Sequence, residues 1–244
     1  MSSPERPNPT PFEGEIKKIE GTNANYLADS PEVIIRRQSL EGVEATSEYT
    51  DMYKRGKQML NELTDFGIAT PKVDLVIGHD EDKKTTLFVV TERIHGQLLS
   101  DALAEASEEE QKQAEELYLS LIRYYRTKFE KGGDFMTDIT ANHQYIYGRR
   151  AHEDHDRIYL SDIEPRFDHY DAQNSTPENE YLFLNLNELN FSIERAEKAS
   201  GKIFGSARGA FDDFLDSVPQ SDLNYHHAQE LLSKQPRETE LSTS

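Results

Sequence analysis

Residues 132–168 constrain the fold most, because two short strand-like runs in this stretch are joined by a polar segment and flanked by acids. The runs at 145–147 (YIY) and 158–160 (IYL) have the aromatic and β-branched bias of strands. The residues between them are polar and fit the tip of a hairpin. Asp138 precedes the first run and Asp162 follows the second, so the predicted hairpin would bring both carboxylates toward one end.

The residue types near this hairpin suit a metal nucleotide and a hydroxyl acceptor. An acid can take a proton from a hydroxyl, while a nearby amide and a second acid can bind a divalent ion. Two amides are candidates, since Asn142 lies four residues after Asp138 and Gln144 lies six residues after it, directly before the strand. The pattern leaves both open. The alternative interpretation is a polar hairpin with two capping aspartates.

These residues resemble the catalytic segment of the protein-kinase-like fold, and more closely its small-molecule branch, the aminoglycoside and choline phosphotransferase-like kinases. The resemblance implies that Asp138 is the catalytic aspartate and that Asn142 or Gln144 supplies a metal-binding amide. Residues 159–165 (YLSDIEP) look like the family's second motif, which implies that Asp162 binds the metal. The family usually has His two residues before the catalytic Asp, where this chain has Met136.

The segment that precedes the hairpin in the chain also fits this resemblance. Helical spacing of apolar residues predicts a helix over 44–66 that ends at Gly67, and residues 63–73 (LTDFGIATPKV) resemble the passage after the long helix of the family's N-terminal lobe. The family's helix supplies a Glu that pairs with a strand Lys. Glu48 is the candidate here, and a solvated helix acid is the alternative interpretation.

Residues 33–36 (VIIR) fall where the family carries Val-Ala-Ile-Lys, so the resemblance implies that Arg36 holds nucleotide phosphates. Arginine can fork to phosphate oxygens but is not geometrically equivalent to lysine. A basic strand end that pairs with surface acids is the alternative. Three strand-like runs at 14–20, 25–28 and 33–37 predict an antiparallel meander. The resemblance implies that its first turn, at 21–25, covers the phosphates, although this turn lacks the Gly-x-Gly-x-x-Gly pattern.

A strand pair is predicted at 73–78 and 86–91, and the following residues 91–99 (TERIHGQLL) resemble the hinge of the same kinases. The resemblance implies that Glu92, Arg93 and Ile94 mark the adenine site, with the contact made mainly through the main chain. A capping box at Ser107 and Glu110 predicts the start of a long helix that ends at residues 132–133, and the resemblance implies that this helix leads to the loop of Asp138.

Composition excludes several function classes. The chain has 46 acids against 27 bases, a formal net charge of −19, so a nucleic-acid partner would meet a repulsive field and direct binding is not expected. The same charge would favour a cationic substrate or a metal, or serve solubility alone. The chain has no cysteine, and no run approaches the roughly 20 apolar residues of a membrane span. We therefore expect no disulfide, no membrane partner and a cytoplasmic location.

The expected fold class is α+β: a two-lobed protein-kinase-like fold in which a small antiparallel sheet lobe with one long helix precedes a mostly helical lobe. Further helices are predicted at 187–199 and 207–218. The expected boundaries are a flexible N-terminus at 1–12, an N-lobe at 13–95, a C-lobe at 96–219 with its catalytic hairpin at 133–168, and a polar tail at 220–244.

The resemblance implies an ATP- and Mg²⁺-dependent phosphotransferase that acts on a hydroxyl of a small molecule, for which a cationic compound is one candidate. The alternative is a catalytically inactive kinase-like module that binds nucleotide or a partner protein, which Arg36 and Met136 favour. An acidic interaction protein without a cleft is a third interpretation.

Overall fold

The computed structural model describes residues 16–17, 26–27, 33–39, 43–79, 85–161, 167–170 and 179–218. The strands are β1 (Ile16–Lys17), β2 (Tyr26–Leu27), β3 (Val33–Ser39), β4 (Val73–His79), β5 (Thr85–Glu92), β6 (His95–Leu98), β7 (Gly133–Met136), β8 (Tyr145–Arg149), β9 (Arg157–Leu160) and β10 (Phe167–Tyr170). The α-helices are α1 (Val43–Asp65), α2 (Leu99–Ala102), α3 (Glu108–Lys131), α4 (Asn179–Ser200) and α5 (Gly205–Ser217). Short 3₁₀ turns lie at Leu103–Glu105 and Asn142–Gln144.

The first sheet has five antiparallel strands in the order β1-β2-β3-β5-β4. β5 lies between β3 and β4, and its Leu87 and Val89 are buried, as expected for an apolar inner strand. The predicted meander and the predicted strand pair are therefore confirmed where the structure describes them. The predicted phosphate-covering turn at 21–25 lies outside the described residues.

Helix α1 forms where helical spacing predicted it, and its buried face includes Met59, Leu60 and Leu63. The helix ends at Asp65, and Gly67, two residues later, has a left-handed φ of +88° that favours glycine. The Gly67 N–H donates to Thr64 O at 2.9 Å, and the next N–H donates to Leu63 O at 3.0 Å. These bonds turn the chain sharply toward β4.

Helix α3 begins at the predicted capping box. The Glu110 N–H donates to Ser107 Oγ at 3.3 Å, and the Ser107 N–H donates to Glu110 Oε2 at 2.6 Å. The helix ends at Gly132, which has a φ of +72°. Its apolar face packs against α4 and α5 in the main core, where Tyr118 contacts Phe204 at a ring-centroid distance of 5.7 Å.

The predicted hairpin is confirmed as β8 and β9, and it gains a third strand that the sequence did not indicate. β6 pairs with β8 in the sheet order β6-β8-β9. The two strands approach so closely that a Cβ on Gly96 would lie 2.1 Å from Tyr147 O. Glycine at this position therefore permits the pairing.

β7 and β10 form a separate two-stranded antiparallel ladder that also escaped prediction. Each strand has only four residues, so neither shows a readable alternation. Helices α4 and α5 confirm the predictions at 187–199 and 207–218, although α4 begins earlier, at Asn179. The α+β prediction is confirmed. Among the residues that the structure describes, none of the helices is both long enough and apolar enough to cross a lipid bilayer.

Candidate functional site

Asp138 lies in the loop after β7 in a backbone conformation that few residues adopt. Its φ is +60°, the left-handed region in which non-glycine residues are uncommon and aspartate is among the better tolerated. The Asp138 N–H donates to Oδ1 of the buried Asn185 on α4 at 3.1 Å. Strained conformations of this kind persist only where the surroundings enforce them. The α4 amide therefore helps hold Asp138 in an unusual orientation.

Buried tyrosine hydroxyls fix the main chain of this loop. Tyr124 Oη accepts the Met136 N–H at 2.7 Å, and the Tyr125 hydroxyl donates to Met136 O at 3.1 Å. The Tyr145 hydroxyl, from β8, donates to Ile139 O at 2.5 Å. Burial raises the pKa of all three tyrosines, so their hydroxyls remain protonated at physiological pH. The loop is thus held by neutral groups.

The structure separates the two candidate amides. Asn142 is buried, and both ends of its amide are engaged: Oδ1 accepts from the Tyr118 hydroxyl at 2.7 Å, and Nδ2 donates to Ser192 O at 3.0 Å. Gln144 Nε2 instead donates to Asp138 Oδ1 at 3.2 Å. Gln144 is therefore the amide that the structure brings to Asp138. The metal-binding role of either amide stays a prediction.

The second predicted acid, Asp162, lies outside the described residues, but the chain on both sides of it is described. The Ser161 N–H and Oγ both donate to Gln144 O, at 2.7 and 2.9 Å. Phe167 pairs with Met136 in the β7–β10 ladder. Ser161 thus lies beside Gln144, and Phe167 lies beside the strand that leads to Asp138.

The predicted nucleotide-binding residues lie on three elements. Arg36 is on β3, opposite Val89 of β5, and Glu48 is on α1, but their side chains lie outside the described part of the structure. Arg93 and Ile94 are half-buried and connect β5 to β6. Their predicted roles, with that of Glu92, stay predictions.

The carboxylate of Glu92, the last residue of β5, is engaged within the protein. Arg150 Nε lies 3.0 Å from Glu92 Oε2 as an ion pair whose angle falls outside hydrogen-bond geometry. Arg150 Nη2 donates to Thr70 O at 2.9 Å. The Glu92 N–H donates to Lys72 O at 2.9 Å, and the Lys72 N–H donates back to Glu92 Oε2 at 3.2 Å. Arg150 therefore joins the end of the first sheet to the β8–β9 hairpin.

Glu153 extends this charged cluster at the hairpin tip. Its carboxylate accepts from Arg157 and from the Tyr159 hydroxyl. It also accepts from the main-chain N–H of Arg150, at 3.2 Å. Partial burial acts to raise the pKa of Glu153, but the hydrogen bonds from Tyr159, the Arg150 N–H and Arg157 outweigh it and lower the pKa to about 2. The Arg150 guanidinium also lies 5.2 Å from the centre of the Tyr159 ring.

One further acid contacts this loop, and cavities lie elsewhere in the described structure. The hydroxyl of the buried Thr140 donates to Glu188 Oε2 on α4 at 2.9 Å, which ties the loop to that helix a second time. Within the described ranges, no three His, Asp or Glu side chains are grouped closely enough to hold a metal ion. Cavities of about 580 and 660 Å³ share Gly67 and Arg123 in their linings, and neither is lined by Asp138.

Sequence reasoning missed the supporting residues on α4. Asn185, Glu188 and Ser192 follow one another at helical steps among apolar residues that include Leu186 and Leu189. Polar side chains within an apolar stripe are normally hydrogen-bonded when buried, so this spacing was a readable signal. It indicates polar contacts in the core but not the loop that receives them.

Comparisons with known proteins give distant structural similarity. No family model matches the chain, and no curated protein matches it. The 2.2 Å crystal structure of WbdD is 14% identical over 90% of this chain and 49% of that chain, with a TM-score of 0.38. WaaP in complex with acyl carrier protein is 15% identical over 90% of this chain and 89% of that chain, with a TM-score of 0.42.

A medium-resolution structure of the bifunctional kinase-methyltransferase WbdD is 18% identical over 86% of this chain and 46% of that chain, with a TM-score of 0.36. This chain spans about half the length of the WbdD structures that it matches, at 49% and 46%.

Proposed function

We propose that this chain transfers the γ-phosphoryl group of Mg-ATP to a hydroxyl of a small molecule. The observation that carries the proposal is the surroundings of Asp138. Its left-handed backbone is held by Asn185, its carboxylate accepts from Gln144, and Ser161 and Phe167 lie beside Gln144 and Met136. The predicted base and one predicted metal-binding amide are therefore in contact, and we propose that Asp162, the residue after Ser161, joins them.

The residues present suit a magnesium nucleotide. Carboxylate and amide oxygens are the ligands that Mg²⁺ prefers. Because Gln144 Nε2 donates to Asp138, Oε1 is the end of the same amide left to serve as a metal ligand. We assign Gln144 and Asp162 to the metal and Arg36 to the phosphates, with the adenine against the main chain of Glu92, Arg93 and Ile94. Glu48 is the proposed helix acid for Arg36.

In this proposal the nucleotide lies between the five-stranded sheet with α1 and the mostly helical remainder, in the two-lobed arrangement that the sequence predicts. Asp138 accepts the proton of the acceptor hydroxyl. The hydroxyl oxygen bonds to the γ-phosphorus, and the bond between that phosphorus and the leaving ADP breaks. Bound Mg²⁺ supplies neutralisation of the phosphate charge. The protein contributes mainly position, since a fixed loop keeps the Asp138 carboxylate in one orientation.

The direct test is Mg-ATP turnover in a screen of small hydroxyl compounds, cationic ones included. We expect Asp138→Asn to lower kcat by roughly 10²- to 10⁴-fold, the range for losing general-base catalysis. Asp154→Asn, at an exposed position in the hairpin turn, is the matched control and should leave kcat unchanged. Mg-ATP should raise the melting temperature of both variants, because a bound ligand stabilises the folded state.

A second candidate is a catalytically inactive module that binds nucleotide or a partner protein. The observation that favours it is Met136, which is 1% exposed and held by Tyr124 and Tyr125 where the family usually has His. A thermal shift with Mg-ATP without turnover of any acceptor would support this candidate. If Mg-ATP produced neither a thermal shift nor turnover, the proposed transfer and the nucleotide-binding form of the second candidate would both be rejected.

A further inference from the structure

Asp134 joins three elements that lead to or from the proposed site. It lies on β7, four residues before Asp138. Its carboxylate accepts from Arg55 Nη2 on α1 and lies 2.9 Å from His169 Nδ1 on β10, the residue directly opposite in the ladder. Partial burial acts to raise the pKa of Asp134, and the hydrogen bonds from His169 and Arg55 overcome this and lower it. Asp134 is therefore an ionised junction of α1, β7 and β10.

A second ion pair of opposite polarity fixes the same helix. Glu62 lies seven residues after Arg55 on α1, two helical turns along the same face. Glu62 Oε1 accepts from Lys128 Nζ of α3 at 2.6 Å, and Lys128 is 8% exposed. The helix thus presents a cation to β7 and an anion to α3. Sliding or rotating α1 would break both pairs, so the pattern specifies one position of the helix.

The pair at Asp134 is too exposed to contribute much to folding. Arg55 and Asp134 side chains are 51% and 35% exposed, and ion pairs of this exposure add little to stability. Their effect is geometric. α1 follows β3, which carries Arg36, while β7 runs directly into the loop that carries Asp138. The pair connects the element next to the proposed phosphate ligand with the strand next to the proposed base.

We infer that Asp134 is a positioning residue that, through Arg55, sets the distance between the phosphate-binding side of the site and Asp138. The inference rests on the proposed function. Displacements of about 1 Å at a reacting centre can lower a transfer rate by roughly 10²-fold. Loss of the pair should therefore act on kcat far more than on folding or on the KM for ATP.

The test is a charge-reversal cycle in the full chain. Arg55→Asp, Asp134→Arg and the double variant are compared for kcat, for the KM for ATP and for melting temperature. We expect each single reversal to lower kcat by about ten- to a hundredfold. The double variant, which restores the pair with reversed polarity, should recover kcat to within a few-fold of wild type.

The matched control is a third cross-element pair on the same helix. Lys57 Nζ lies 3.1 Å from Asp74 Oδ1 on β4, with side chains 43% and 77% exposed. Lys57→Asp, Asp74→Lys and their double variant should leave kcat within about twofold of wild type, because this pair does not contact β7. If Asp134→Arg fails to fold, Asp134→Asn and Arg55→Gln are measured in the same way.

The outcomes separate this inference from the proposed function. If wild type is active and the single reversals at Arg55 and Asp134 are as fast as the control variants, the inference is overturned and the proposed function stands. Slow single reversals without recovery in the double variant would also overturn it, because the pairing would not be the cause. Wild type without turnover rejects the proposed transfer and this inference with it.

Discussion

The loop around Asp138 and the junction around Arg150 both fix a connection between distant elements, but they use different chemistry. The main chain of the loop is held by neutral partners, including the Tyr125 hydroxyl and the Asn185 amide, which are almost fully buried. The junction is held by half-buried ion pairs among Arg150, Glu92 and Glu153. Neutral groups can be buried at lower cost than charges, whereas a buried charge needs a partner.

The two regions should therefore respond differently to pH and to substitution. The neutral network should be rigid and insensitive to pH across the range in which tyrosine stays protonated, because burial raises the pKa of Tyr124 and Tyr125. The charged junction should keep its ion pairs at neutral pH and should weaken in acid. Substitutions in the neutral network should affect Asp138 directly, whereas substitutions at the charged junction should affect mainly the stability of the fold.

The largest effect is expected at the neutral network. Asn185→Leu removes the acceptor that the Asp138 N–H and the Tyr125 hydroxyl share, which should lower the free energy of unfolding by about 2–3 kcal/mol. If the proposed function holds, turnover should also fall. Denaturant unfolding measures the stability change. Arg195→Leu, at an exposed position of the same helix, is the control and should stay within about 0.5 kcal/mol of wild type. Equal stability of the two variants would contradict a supporting role for Asn185.

The second effect is at the charged junction. Arg150→Ala removes the cation that Glu92 and Glu153 share, and we expect a loss of about 2 kcal/mol in the free energy of unfolding, because a half-buried charge would lose its partner. Arg149→Ala is the matched control, since Arg149 is 55% exposed and pairs with Asp156 at 3.7 Å, and it should cost less than about 0.5 kcal/mol. If Arg150→Ala cost as little as Arg149→Ala, the half-buried junction would stabilise the fold no more than an exposed ion pair does.

The third prediction concerns pH. The pKa of Glu153 is about 2 in the folded protein, below the value of about 4.3 for an unperturbed glutamate. Because the folded pKa is the lower one, its stabilisation is complete above about pH 4.5 and is lost as pH falls toward 2. The pKa difference corresponds to about 3 kcal/mol, and solvent screening at the hairpin tip reduces the expected loss to about 1–2 kcal/mol. Unfolding free energies of wild type and Glu153→Gln should converge as the pH is lowered, and parallel curves would contradict the assignment.

The smallest effect is expected at a single buried hydrogen bond. Tyr118→Phe removes the hydroxyl that donates to Asn142 Oδ1, which should cost about 1 kcal/mol in the free energy of unfolding. The double variant Tyr118→Phe with Asn142→Leu should cost less than the sum of the two single changes, because the partners share one bond. Additive costs would show that the two groups act independently.

The sequence predicted the long elements well and the short pairings poorly. The Ser107 capping box and Gly67 are local signals, so the start of α3 and the end of α1 could be read from neighbouring residues. β6, β7 and β10 have four residues each, and their partners lie far along the chain. Such strands exist because of tertiary pairing, which residue patterns do not reveal.

The residue types of the candidate site can be read from the sequence, but the orientation of its amides cannot. Asn142 and Gln144 stand two residues apart on one 3₁₀ turn, and residue patterns offer no basis for choosing between them. The choice depends on the Tyr118 hydroxyl, which comes from a different helix and engages Asn142. Long-range hydrogen bonds of this kind decide which side chain reaches Asp138.

The most direct test is an experimental structure of the chain with Mg²⁺ and a non-hydrolysable ATP analogue. We expect a Mg²⁺ ion at about 2.1 Å from an oxygen of Gln144 or Asp162, the distance typical of this ion. We also expect Asp138 to face the γ-phosphate with room for an acceptor hydroxyl between them. Nucleotide bound elsewhere, for example in the cavities beside Arg123, or no bound nucleotide at saturating concentration, would contradict it.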